Sequence, residues 1–245
     1  MNNINKIRFW EIDALRGIAI IMMIASNFVT DLQYFAGYAS YETFWWVFAR
    51  TTAFIFIFLV GISLTISYSR AKQDEKANFW KYFKRGSYIF ALGLIITVTT
   101  FFFLQQDFIR FGVLHLIGIS IILSFPFLKI KKYTWIFPLA ILLILAGEFI
   151  KNIYINSNWL LWLGLTTQTF SSIDYFPLLP WFGVVLLGIV FGKLLYPNAT
   201  RGHILKIAGS EHRITKPLSF LGRNSLLIYF IHQPILLGLL WLLVL

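Results

Sequence analysis

Five side chains that could build one acid–base pocket stand on three apolar stretches of this sequence. Asn27 and Asp31 lie on the first, His115 on a middle one, and His232 and Gln233 on the last. Imidazole can take a proton near neutral pH, and a neighbouring carboxylate can orient or assist it. An amide such as Asn27 can donate a hydrogen bond to a developing oxyanion. A second group, Asp13 and Arg16, precedes Asn27 on the first stretch. At about 100° per residue, Arg16 and Asn27 fall nearly above one another on a helix, about 16 Å apart along its axis. Asp13 and Asp31 lie close to the same line, so one face of that helix is polar at both ends. On the last stretch Ser225, Tyr229, His232 and Gln233 share a face by i, i+3 and i+4 spacing. Pro234 lacks an N–H and so frees a backbone carbonyl one turn earlier.

Each feature also has a plainer reading. A lone His on an apolar helix is ordinarily a packed, hydrogen-bonded residue, and charges at a helix's two ends can lie at two headgroup levels. Ionisable groups within a bilayer are costly and normally face a protein interior or a wet cavity. That cost favours a helix lining a polar site. His203 and His212 sit in a basic segment and read as solvated. No P-loop, HExxH, GxSxG or metal-spaced His/Asp cluster is present, and nothing points to nucleic acid.

The elements that must carry these residues are membrane helices. The chain has 245 residues, of which 58% are hydrophobic and only 13% charged. Soluble domains carry about 25% charged residues, so this is an integral membrane protein, read as one domain over 1–245. There is no Cys and hence no disulfide or thiolate chemistry. Seven apolar segments suit transmembrane helices: 10–28, 44–67, 87–103, 112–128, 133–150, 181–196 and 225–245. The expectation is an all-α polytopic bundle. The first span lacks a cleavage site and should be retained.

The distribution of the +11 net charge orients the bundle. Arg70, Lys72, Lys76, Lys81, Lys84 and Arg85 follow the second span, and Lys129, Lys131 and Lys132 follow the fourth. Segment 193–216, from the end of the sixth span onward, holds Lys193, Arg201, Lys206, Arg213 and Lys216, and Lys6 and Arg8 precede the first. The opposite connections hold only Arg110 and Lys151. The positive-inside rule therefore puts the N-terminus in the cytoplasm and the C-terminus outside. Within this frame 75–86, with Phe79, Trp80 and Phe83 among Lys81, Lys84 and Arg85, reads as a surface helix beside anionic lipid or as part of a phosphate-attracting rim. The apolar run 159–165 is too short to span and reads as interfacial or re-entrant.

Four blocks in order, EIDALRGIAIIMMIASNF, GVLHLIGIS, FPLLPWFGVVLLGIVFGKLL and FLGRNSLLIYFIHQP, resemble the heparan-alpha-glucosaminide N-acetyltransferase catalytic-domain family. The likeness covers most of the chain. It implies a membrane enzyme that moves acetyl from cytosolic acetyl-CoA to a sugar amine across the membrane. Asp13, Arg16 and Asn27 match the family's first-helix motif, Gly112, Val113 and Leu114 its fourth-helix block, and Gly222, Asn224 and Ser225 its last-helix block. The Arg16-to-Asn27 spacing is also similar to the Arg-x10-His signature of the broader membrane acyltransferase group. One departure stands out: the animal enzyme's essential His follows the first helix, and 28–42 here contains none.

The resulting expectation is an acetyl-CoA-dependent acyltransferase of a prokaryotic plasma membrane, with no metal. Its acceptor is a sugar or other cell-surface amine or hydroxyl, and a homodimer is compatible with it. Asp13, Arg16, Arg223 and Asn224 form the donor site. His115 is the catalytic base by elimination and depth, Asp31 orients or assists it, and Asn27 serves the oxyanion. His232, Gln233 and Tyr229 line the acceptor pocket. Two alternatives stay open: a transporter using the same polar stripe as its path, and a non-catalytic membrane scaffold.

Overall fold

Every apolar segment expected to span becomes a helix in the computed structural model, which describes residues 8–38, 41–203, 205 and 211–243. Lys6, Lys206 and residues 244–245 of the last expected segment lie outside the described residues. The helices are α1 (Trp10–Ala36), α2 (Glu42–Gln73), α3 (Phe79–Leu104), α4 (Val113–Lys129), α5 (Ile136–Ile150), α6 (Leu178–Leu195), α7 (Thr215–Arg223) and α8 (Ser225–Leu243). A 3-10 turn, Tyr133–Trp135, leads into α5. Six of these segments are long and apolar enough to cross a membrane, and α4 is a shorter apolar helix. Among the described residues there is no strand, only isolated bridges.

The chain gathers into two units. The first comprises Met1–Phe56 and Ile207–Leu245, and the second Ile57–Lys206. In the first, α1 is the common partner of α7 and α8. Helix α1 runs eight residues past the expected end, so Asn27 and Asp31 stand one turn apart on it. It ends at Gly37, whose φ of 64° closes the helix as its N–H reaches the Leu32 carbonyl. Helix α7 was not expected as an element. It lies so close to α1 that a Cβ on Gly17 would come 2.0 Å from the Leu218 carbonyl oxygen, and one on Gly222 1.8 Å from that of Asp13.

In the second unit α6 is the axis. It is the most buried of the candidate spans and packs on α4 and α5, while α3 packs on α4. The later part of α2 joins α6 through Thr65, whose hydroxyl donates to the carbonyls of Gly61 and Ile189. Lys193, near the end of α6, donates to the carbonyls of Phe127, Leu128 and Ile130. Those are the unpaired acceptors at the end of α4, where a cation is favourable. The stretch 75–86 resolves into a turn and the first turns of α3, with Asn78 as N-cap accepting from the Lys81 N–H at 2.9 Å. The run 159–165 forms turns rather than a helix. It is tied to the start of α6 by the Leu178 and Leu179 N–H groups, which donate to Trp162 and Leu163.

Candidate functional site

Two polar clusters sit on α1 within the first unit. Toward the helix start Asp13, only 8% exposed, receives two guanidiniums: Arg16 at 3.6 Å and Arg223 Nε at 3.3 Å. Arg223 also faces Glu211 at 3.6 Å. Two cations and two carboxylates thus balance, and a phosphate entering here must draw an arginine from its carboxylate. Asn224 has a different duty. Its backbone N–H and side-chain amide both donate to the Phe220 carbonyl, closing α7.

Fourteen to eighteen residues along α1 from Asp13, about 21–27 Å at the helical rise, lies the second cluster. Asn27 Nδ2 donates to His232 Nε2 at 2.7 Å. Gln233 Nε2 donates to Asp31 Oδ1 at 2.7 Å. Two neighbouring residues of α8 therefore grip two residues one turn apart on α1. His232 Nδ1 lies 2.7 Å from the Tyr229 carbonyl oxygen. A carbonyl can only accept, so Nδ1 carries the proton, and Nε2 holds the lone pair on which the Asn27 amide rests. The Tyr229 ring lies 5.5 Å from the imidazole, centre to centre. Asp31 is buried, and its Oδ2 has no hydrogen-bond partner among the described residues. A buried carboxylate oxygen left without a donor is costly, and a site that brings its own donor relieves it.

His115 belongs to the second unit and is held differently. It is 2% exposed. Its Nδ1 accepts the Gly112 N–H at 3.2 Å, so in the neutral ring the proton is on Nε2, which faces Thr97 Oγ1 at 3.4 Å. Phe111 stacks on the ring and Phe90 meets it edge-on. His115 thus caps the start of α4 from its own side chain, and Asp174 Oδ2 adds a second acceptor by taking the Val113 N–H at 3.2 Å. Gly112 is needed there because a Cβ would lie 2.4 Å from that carboxylate oxygen. Tyr175 is also fixed: its hydroxyl donates to the Leu161 carbonyl, and burial pushes its pKa up, so it holds its proton.

Of the residues singled out from sequence, Asn27, Asp31, Tyr229, His232 and Gln233 come together, as do Asp13, Arg16 and Arg223. His115 and Asn224 each hold a helix end. Glu211, Asp174 and Thr97 went unnoticed, because their partners are brought to them only by the fold. Among the described residues no group of His, Cys, Asp and Glu could hold a metal ion.

The family model described as heparan-alpha-glucosaminide N-acetyltransferase, catalytic, matches residues 8–234 and so runs through both units. No curated protein and no solved structure matches the chain.

Proposed function

Because the chain belongs to the heparan-alpha-glucosaminide N-acetyltransferase catalytic family, we propose that it is a multi-pass membrane acyltransferase that moves acetyl from acetyl-CoA to an amine or hydroxyl of a sugar or other surface acceptor. Asp31 Oδ2, buried beside the Asn27–His232 pair and lacking a donor, carries this reading. An acceptor N–H or O–H is the donor that oxygen lacks. Acetyl-CoA supplies the acyl group as a thioester.

In this reading Asp31 holds the acceptor. The Asn27 amide turns from His232 toward the oxygen on which negative charge develops. The released His232 Nε2 takes the acceptor proton as its nitrogen or oxygen attacks the acyl carbon, and passes it to the leaving sulfur as the C–S bond breaks. His232 is preferred to His115 because its lone-pair nitrogen is blocked only by a side chain that can rotate. The lone pair of His115 is tied to a backbone N–H within its helix cap. Arg16 and Arg223 meet the donor's phosphates from the inner end of α1, with Asp13 setting their spacing.

The same reading puts the N-terminus in the cytoplasm of a prokaryotic cell, treats 1–245 as one functional domain, and is compatible with a homodimer. Mass spectrometry of protein purified in detergent tests the donor: CoA or acetyl-CoA should be retained by the wild type and depleted about 10-fold or more in Arg16→Ala, the scale of a lost charge-assisted hydrogen bond. Retention unaffected by Arg16→Ala would remove that residue from the donor site.

A further inference from the structure

Where α5 begins and α6 ends, the second unit carries an apolar groove of about 340 Å³ lined by Tyr133, Thr134, Phe137, Val190, Phe191 and Leu194. Val190 is buried, while the other five are exposed along the trough. Its chain neighbours are cations. Lys131 and Lys132, both exposed, immediately precede Tyr133. The turn that follows folds back on them as the Trp135 N–H donates to the Lys132 carbonyl, leaving the Trp135 side chain 74% exposed.

Two other amines of this corner are committed. Lys129 lies over the Phe125 ring at 4.4 Å. Lys193 is turned onto the carbonyls that end α4. The ammonium groups of Lys131 and Lys132 have neither an ion-pair nor a hydrogen-bond partner among the described residues. An apolar trough beside two exposed ammonium groups and an exposed indole has the layout of a phospholipid at the interface: hydrocarbon, then aromatic, then charge.

We propose that this groove binds one acyl chain of a phospholipid of net negative charge, whose headgroup phosphate rests on Lys131 and Lys132. Charge complementarity selects the anionic headgroup, since a zwitterionic one carries its own cation and gains less from two lysines. The site is independent of acyl transfer and holds whether or not the chain is an enzyme.

Native mass spectrometry of the full chain in a maltoside detergent tests it, with phosphatidylglycerol and phosphatidylcholine of matched chains as probes. The wild type should retain phosphatidylglycerol in preference to phosphatidylcholine. The double variant Lys131→Gln/Lys132→Gln should weaken that binding about 30-fold, the scale of two interfacial cations. Thr134→Trp, which fills the trough and keeps both lysines, should also weaken it. Equal retention of the two lipids by the wild type overturns the proposal without any variant. So does phosphatidylglycerol binding unchanged in either variant, or a dimer mass lost in Thr134→Trp with lipid retention intact, which would assign the groove to a second copy of the chain.

Discussion

Asn27 and His232 hold each other through the one imidazole nitrogen that can still take a proton. The pair is closed at rest and ready for exchange, because an amide that donates to nitrogen can donate to an oxyanion after a single side-chain rotation. His232→Ala is therefore expected to lower turnover by about 10²-fold or more, the usual scale of a lost general base, with acetyl-CoA binding kept within a few-fold. His115→Ala should instead lower the melting temperature and leave turnover within a few-fold, since it opens a cavity and removes the cap of α4. Steady-state rates and thermal unfolding of the two variants check this together, and the opposite pattern would make His115 the base. Which residues share a face on α1 and on α8 was legible in the sequence, because helical spacing aligns them within each helix; the pairing of Asn27 with His232 and of Asp31 with Gln233 was not, because it depends on how the two helices pack. Nor was the captive state of His115. Its depth could be read from the helix pattern, but its contacts with Thr97, Phe90 and the Gly112 N–H depend on how α3 and the chain before α4 pack.

At the scale of elements, α7 is what the hydrophobicity pattern hid. Nine residues are too few to register as a span, and Lys216 and Arg223 give the segment the look of a polar loop. Its close approach to α1 rests on Gly17 and Gly222, where any side chain would meet a backbone carbonyl. Gly17→Ala should destabilise the fold by about 1–3 kcal/mol or more, the range for overpacking a tight contact, and should also weaken donor binding as Arg223 shifts from Asp13. Denaturant unfolding and a CoA-binding isotherm measure the two effects. Lys193 makes a second element-level case. Its place at the head of the basic segment 193–216 reads as a surface charge, yet it holds the end of α4. Lys193→Met should cost about 1.5–3 kcal/mol in stability, the scale of hydrogen bonds to a charged group, whereas Lys131→Gln should cost close to nothing in the same unfolding experiment.

At the scale of the whole molecule, although six rather than all seven expected segments are long enough to cross and α4 is shorter, the order of the apolar helices followed from apolar run length, since each run satisfies its own backbone polar groups as a helix. Grouping into two units did not, because it depends on which helices share close-packed faces. Orientation rests on the Lys/Arg distribution. Cysteines introduced at Lys72 and Asn158 in the Cys-free chain should label from opposite sides in intact cells, Asn158 from outside. Labelling of both from one side would reject the arrangement. The central claim is that these spans deliver a cytosolic acetyl group to an acceptor held by Asp31. Its most direct test is transfer of radiolabelled acetyl from acetyl-CoA to a panel of amino sugars by the purified, membrane-reconstituted chain, alongside Asn27→Ala and Asp31→Asn. The account predicts acceptor-dependent labelling by the wild type, reduced about 10²-fold or more in Asn27→Ala, the scale of a lost oxyanion donor, and strongly reduced in Asp31→Asn. Labelling of an acceptor at the same rate by both variants, or saturable sugar flux across the membrane with no acetyl transfer at all, would contradict it.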